Sequence, residues 1–457
     1  MKKKQILSIA LTAFLVCSAL STVGCSNGNG ISTSNENVLR VASWDEYIDM
    51  GGSIYQEDDP DVQAFKEWYQ ELTGIDLADS RPLYEEFEDW YFEQTGKKIK
   101  VEYVALQDNE TMYNKIKMGD TYDLLCPSEY MAMKLKSENA LLAYPEEFFD
   151  AEKEQNYYAK NVSAYTNEIF SKTGLTNHIA GYMWGTTGFV FNPEKIDRET
   201  MTSWYCLTSK ECERKITAKD NTRDSYFMGL GMYYEDYLLS LNPDSENYAN
   251  ELFAKMNDTS KETMSEVKKL LETARKNLYG LETDEGKNDL ISGRLDASYQ
   301  WSGDAVYILD EADGETELVL EYSIPKSVSN LWFDGWVMMQ GANVDAATAF
   351  VNFLSMPRNA IRNMYYIGYT SCLAGQELYE YIDYTYGAEE DEENVATYDL
   401  SYFFGEAYEP LTVPEDQLRR QLFAQYPDDT TRKRLVVMDF FDKEENERAN
   451  RMWNNIK

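Results

Sequence analysis

Short runs rich in β-branched and apolar residues alternate with amphipathic stretches along most of the chain. Residues 38–42 and 98–104 have the character of strands, 83–94 and 111–118 of helices, and 122–126 of a further strand. Strand and helix in strict alternation predict a parallel sheet with helices on both faces. In such sheets ligands sit at the carboxyl ends of the strands. Just beyond two of those ends stand Trp44-Asp45-Glu46-Tyr47 and Pro127-Ser128-Glu129-Tyr130. A second α/β region opens at the glycine-punctuated apolar run 182–191 and continues through helices at 223–239 and 261–276 and strands at 295–301 and 318–324. The fold class is α/β, and two lobes are the simplest arrangement.

One segment repeats. Phe65, Trp68 and Tyr69, closed by Thr73-Gly74, recur twenty-two residues later as Phe87, Trp90 and Tyr91, closed by Thr95-Gly96. In each copy the aromatics fall at i, i+3 and i+4 of a helix that a glycine ends. Only the second copy leads straight into a strand, so the expectation is a core helix there and an inserted surface duplicate in the first copy, within an insert of about 49–82. Two copies are too few for a solenoid.

The first 24 residues read as an export signal, with Lys2, Lys3 and Lys4 ahead of the apolar stretch 6–20. That stretch is too short to span a membrane by itself. Thr22-Val23-Gly24-Cys25 resembles the lipobox of bacterial lipoproteins, which makes Cys25 the lipidated residue, and the Ser/Asn/Gly-rich run that follows has the composition of a flexible tether over 25–37. Loss of the three signal lysines takes Lys+Arg from 43 to 40 against 80 Asp+Glu, and the formal charge from −37 to −40. Such a chain repels nucleic acid and anionic lipid and favours cationic ligands.

Catalytic supply is thin. The one histidine, His178, has no nucleophile-elbow sequence to partner it. Residues 280–287 lack the spacing and the Ser or Thr of a phosphate loop. Asp310-Glu-Ala-Asp313-Gly314 breaks the calcium-loop order and reads as a hairpin turn. No zinc spacing exists among Cys126, Cys206, Cys212 and Cys372, so no metal and no cofactor is expected. Cys206 and Cys212 are the candidate for a local disulfide, within one of three possible pairing schemes. Acids are too abundant for paired carboxylates to identify a glycosidase.

What remains is a set of rings beside acids or hydroxyls: Trp44-Asp45-Glu46-Tyr47, Ser128-Glu129-Tyr130, Trp301-Ser302-Gly303-Asp304, Trp332-Phe333-Asp334 and Ile367-Gly368-Tyr369. Rings over a methylene chain bury about 0.8 kcal/mol per CH2, and rings over charged nitrogens add roughly 0.5–2 kcal/mol each. Carboxylates fix the ends, because a desolvated ammonium without a partner is costly. That chemistry suits a linear alkyl ammonium. A sugar would also use Trp and Tyr but calls for more planar amides, and a cationic peptide would use the same acids in a wider cleft.

In this order the same segments, joined by Tyr182-Met183-Trp184-Gly185-Thr186-Thr187-Gly188 and Asn330-Leu331-Trp332, resemble the spermidine/putrescine-binding proteins of bacterial polyamine ABC importers. The resemblance implies a two-lobe periplasmic-binding-protein-like fold of type II, each lobe a mostly parallel sheet flanked by helices, with the ligand in the cleft. It allots 38–183 to lobe one, 184–332 to lobe two, 333–375 to a return to lobe one and 376–457 to the C-terminal part of lobe two. It implies ligand contacts at Trp44, Tyr47, Ser128, Tyr130, Trp301, Trp332, Asp334 and Tyr369, with Asp334 the central carboxylate. Asp304 resembles putrescine-preferring members. Where the family has an acidic pair, Asn221-Thr222-Arg223-Asp224 keeps one acid, Asp224, and Asp45 stands where Thr is common and can replace the missing charge. The implied protein is a non-enzymatic, monomeric lipoprotein on the outer face of the cytoplasmic membrane that passes a polyamine to ABC permease subunits and binds no nucleic acid. The alternatives are a carbohydrate- or cationic-peptide-binding lipoprotein or a secreted glycosidase.

Overall fold

The computed structural model describes residues 36–56, 58–282, 286–316 and 318–457, and the export signal and Cys25 lie outside them. Among the described residues fourteen strands are formed: β1 (Val38–Trp44), β2 (Lys100–Leu106), β3 (Leu124–Leu125), β4 (Leu141–Leu142), β5 (Ala180–Phe191), β6 (Ile216–Lys219), β7 (Gly280–Glu282), β8 (Ala297–Trp301), β9 (Glu321–Ser323), β10 (Ser329–Met339), β11 (Thr370–Ser371), β12 (Val395–Tyr398), β13 (Leu411–Pro414) and β14 (Leu435–Val436). The main sheet runs β2-β1-β3-β10-β5-β8-β6-β7. β1 is parallel to β2 and β3, and β6 is parallel to β7 and β8. β5 and β10 are antiparallel to each other and join these two parallel groups.

The joining strands explain their own sequence. All twelve positions of β5 and all eleven of β10 are buried, so they read as continuous rather than alternating apolar runs. The two ends of β5 serve different cores, Met183 and Trp184 one and Phe189 and Phe191 the other, while the apolar residues of β10 belong to the first. One core gathers Leu39, Val41, Leu124, Leu125, Met183 and Trp336, and the other Phe189, Trp204, Ile216, Phe227, Val267 and Tyr299. Two cores on one continuous sheet make a two-lobe α/β molecule.

Helix ends follow from local chemistry. Asp59 accepts from the backbone N–H groups of Asp61 and Val62 at the start of the helix Pro60–Thr73, and Gly74 ends it at φ 74°. Gly96 ends the helix Leu83–Thr95 in the same way at φ 70°. Asp108 caps Asn109–Met118, and Asn221 caps Thr222–Leu239 by accepting from the Asp224 N–H.

Four expectations are corrected. The first copy of the repeat is not a surface duplicate: Phe65, Tyr69, Tyr55 and Leu77 are buried, and Phe65 stacks on Tyr365 with centroids 3.7 Å apart. The insert is also locked by charge, because Arg362 Nε donates to Asp49 Oδ2 at 2.6 Å and its Nη1 to Glu86 Oε2 at 2.9 Å. Residues 376–457 do not complete lobe two as a block. Tyr381 and Tyr384 pack on Trp68 in the first core, while Val436, Met438 and Trp453 join the second. Residues 310–314 are not a turn but lie within the helix Ser302–Glu315, where Gln421 donates to Asp310 and Arg420 to Asp313. Cys206 and Cys212 are buried free thiols, held in separate turns, with the Cys212 N–H donating to Ser209.

Candidate functional site

The carboxyl ends of β1, β3, β6 and β8 open on one cleft of 1280 Å³ between the lobes, and all eleven binding residues expected from the sequence line it. Their neighbourhoods differ.

Asp334 is the best-defined seat. It is 5% exposed on β10, at the point where the β10–β5 register shifts. Its Oδ2 accepts from Tyr47 Oη at 2.7 Å and Trp44 Nε1 at 3.1 Å, and Ser128 bridges its backbone. Its Oδ1 is buried without a hydrogen-bond partner. Burial pushes this carboxyl up, against the pull of Tyr47, Ser128 and Trp44. Ser128 is itself fixed, its N–H donating to Asn109 Oδ1 and its hydroxyl accepting from Asn109 Nδ2.

Rings enclose this seat. Tyr47 meets Tyr369 edge-on at 5.9 Å, and Tyr369 lies 5.3 Å from Trp332. Trp332 is held by its own N–H, which donates to the Thr186 carbonyl at 3.0 Å. Gly303 makes room for Tyr369, since a Cβ there would stand 1.7 Å from the ring. The loop bearing Trp44 and Tyr47 is strained, with Glu46 at φ 53°, a conformation uncommon for a residue with a side chain. Asp45 is an exposed member of the lining.

The opposite wall is different in kind. Asp304 accepts from Lys219 Nζ at Oδ2 and from Lys287 Nζ at Oδ1, both at 2.8 Å, and these ammoniums hold its carboxyl down at about 2 despite burial. Lys219 also lies 4.1 Å over the Trp301 ring. Asp224 is buried and accepts from Asn221 Nδ2, and burial pushes it up against the pull of Asn221, Lys219, Arg223 and Trp301. Arg223 spans Tyr130 at 4.7 Å and Phe441 at 3.7 Å, and Tyr130 donates to Glu110 at 3.3 Å.

Residue patterns did not single out Lys219, Lys287 or Glu129. Glu129 is 1% exposed, and burial together with the Asp334 charge raises it to about 8 against the pull of its backbone hydrogen bonds and Arg223. A glutamate directly beside a predicted ligand serine was the available signal. For the lysines there was none, because their partner is eighty-five residues from Lys219 in sequence. Among the described residues no group of three or more metal-ligating side chains is gathered, and no helix is long and apolar enough to cross a membrane.

A ring-lined cleft between two α/β lobes, with carboxylates at the strand ends, defines a ligand-capturing protein of the two-lobe kind. The family model described as bacterial extracellular solute-binding protein matches residues 83–380, and the chain belongs to that family. A spermidine/putrescine-binding periplasmic protein of Salmonella typhimurium is 26% identical over 284 residues, covering 61% of this chain and 72% of that relative. The putrescine-binding periplasmic protein SpuD of Pseudomonas aeruginosa is 26% identical over 278 residues, covering 57% and 67%. Among solved structures, the spermidine/putrescine ABC transporter substrate-binding protein PotD of Streptococcus pneumoniae superposes with a TM-score of 0.58 at 24% identity over 92% of this chain and 98% of that one. A maltodextrin-binding protein of L. casei superposes at 0.51 and 10% identity over 92% of each chain, so the fold alone does not choose the ligand. The relatives are named for binding rather than catalysis, which fits a non-enzymatic role.

Proposed function

We propose that this chain is the capture subunit of a polyamine importer of the ABC type. It takes a linear amine of the spermidine/putrescine class into the cleft, held outside the cell by lipid on Cys25, and hands it as a monomer to permease subunits. The single observation that carries the ligand class is Asp334, a buried carboxylate with one oxygen unpartnered and the other held by the rings of Tyr47 and Trp44. A buried, uncompensated charge is costly in the empty protein and is repaid when a cation arrives. A sugar hydroxyl offers no charge in return, which disfavours the carbohydrate reading. Alkyl carbons of the amine lie against Trp332, Tyr369 and Tyr47, contributing about 0.8 kcal/mol per buried CH2, while the ammonium adds roughly 0.5–2 kcal/mol per ring it faces. The names of the relatives point the same way. Calorimetry with putrescine and spermidine tests the proposal: micromolar binding, about −8 kcal/mol, is expected, and absence of heat with both amines refutes it.

A further inference from the structure

The Trp301 and Asp304 end of the cleft already holds cations of the chain's own. Lys219, at the end of β6 and 1% exposed, places its ammonium on Asp304 Oδ2 and over the face of Trp301. Lys287 takes the other oxygen, to which the Tyr369 hydroxyl also points at 3.4 Å. Both carboxylate oxygens and one face of the ring are therefore engaged without any ligand. The rest of this wall is balanced in the same way, since Asp224 faces Lys219 and Arg223, and Asp220 accepts from Lys457 and Trp453.

The other wall, on whose Glu110 and Glu129 the Arg223 charge acts from the second lobe, is acidic. It presents Asp45, Glu46, Asp108, Glu110, Glu129 and Asp334, and the described lining residues from the first lobe include no Lys or Arg. A second ligand ammonium reaching the Trp301 end would meet two lysines and would have to displace one of them from a buried ion pair. A neutral end would not.

We infer that Lys219 and Lys287 stand in for a ligand ammonium at the Trp301–Asp304 subsite, so that the cleft selects a linear amine with one ammonium, seated on Asp334, and an uncharged far end, such as a mono-N-acylated diamine. The inference rests on the polyamine reading above and narrows it. The rings are kept, but the second charge is supplied from within.

Titration calorimetry of the whole chain with N-acetylputrescine, putrescine and spermidine tests it. N-acetylputrescine binds at least tenfold tighter than spermidine to the unmodified protein. In Lys219→Met, one Asp304 oxygen and the Trp301 face become available, spermidine gains at least tenfold and the order reverses, while Lys219→Arg keeps the original order. Lys287→Met, at a less buried position, shifts the order in the same direction and serves if Lys219→Met melts early. Spermidine binding as tightly as N-acetylputrescine to the unmodified protein, or an unchanged order in both Met variants, overturns the inference while leaving the polyamine reading standing. Absence of heat with both putrescine and spermidine overturns that reading and the inference with it.

Discussion

Replacing Asp334 by Asn keeps the size and shape of the side chain and removes its charge. In the empty protein this relieves a group whose carboxyl burial drives upward, and whose Oδ1 finds no donor. The amide oxygen can still accept from Tyr47 and Trp44 at the Oδ2 position, 2.7 and 3.1 Å away. Its NH2 then faces the ligand, where a donor stood opposite a donor is repulsive. The ammonium stays desolvated and unpaired, and breaking a buried pair in this way costs about 3–5 kcal/mol. At about 1.4 kcal/mol per tenfold, affinity falls at least a hundredfold. Thermal unfolding without ligand should be unchanged or slightly higher, because no stabilising ion pair is lost from the empty state. Calorimetry and melting on the same preparation read both quantities. Binding within threefold of the unmodified protein, or a large drop in melting temperature with affinity retained, would falsify the assignment of Asp334 as the ligand's counter-charge.

Phe65→Ala should lower stability by about 3–5 kcal/mol, and deletion of residues 51–80 should abolish cooperative unfolding, since Phe65 and Tyr69 are core residues; a cooperative denaturation curve from the deletion would contradict this. Gly303→Ala should weaken amine binding at least tenfold by driving Tyr369 out of the cleft, with little change in far-ultraviolet circular dichroism, and calorimetry showing unchanged affinity would remove the need for glycine there. Glu129, at about 8 in the folded chain against an ordinary 4.5, makes the folded state the better proton binder between those values. Its contribution to stability is therefore fully present below about 4.5 and lost as pH rises through 8, whereas Asp304, held near 2, contributes above 3.8 and loses that contribution as pH falls through 2. A cation seated beside Glu129 favours its ionised form, so affinity should rise by up to about tenfold per unit between pH 6 and 8 with release of a proton; equal binding heats in buffers of different ionisation enthalpy would show that no proton moves.

The cleft was legible in the sequence because its residues cluster at strand ends. Trp44, Tyr47, Ser128 and Tyr130 follow short apolar runs that alternation alone identifies as parallel strands, and all eleven expected residues meet in one cavity. What escaped depends on contacts between distant segments. That Asp304 is matched by Lys219 and Lys287 is decided by how β6 ends beside the helix Ser302–Glu315, and no spacing along the chain announces it. The repeated aromatics showed which helix face is apolar but not what covers it, which is Tyr365 and Tyr381 from three hundred residues away. Asp310 and Asp313 looked like turn residues because their partners, Gln421 and Arg420, lie more than a hundred positions downstream.

β5 contributes to both cores and pairs with β10, and the register of their pairing breaks between Asp334 and Gly335. These paired strands join the two parallel groups of the sheet, and the segment 427–434 runs from Tyr426 in the first core to Val436 in the second. On the proposed reading, the ligand's counter-charge sits at this junction of the two strands. A cation drawn to Asp334 would act on this junction rather than on either lobe alone, and occupancy would then be expressed in the lobe angle without a relay of side chains between site and surface. A membrane partner gripping the outer ends of both lobes would read that angle as a lever reads the load at its bearing.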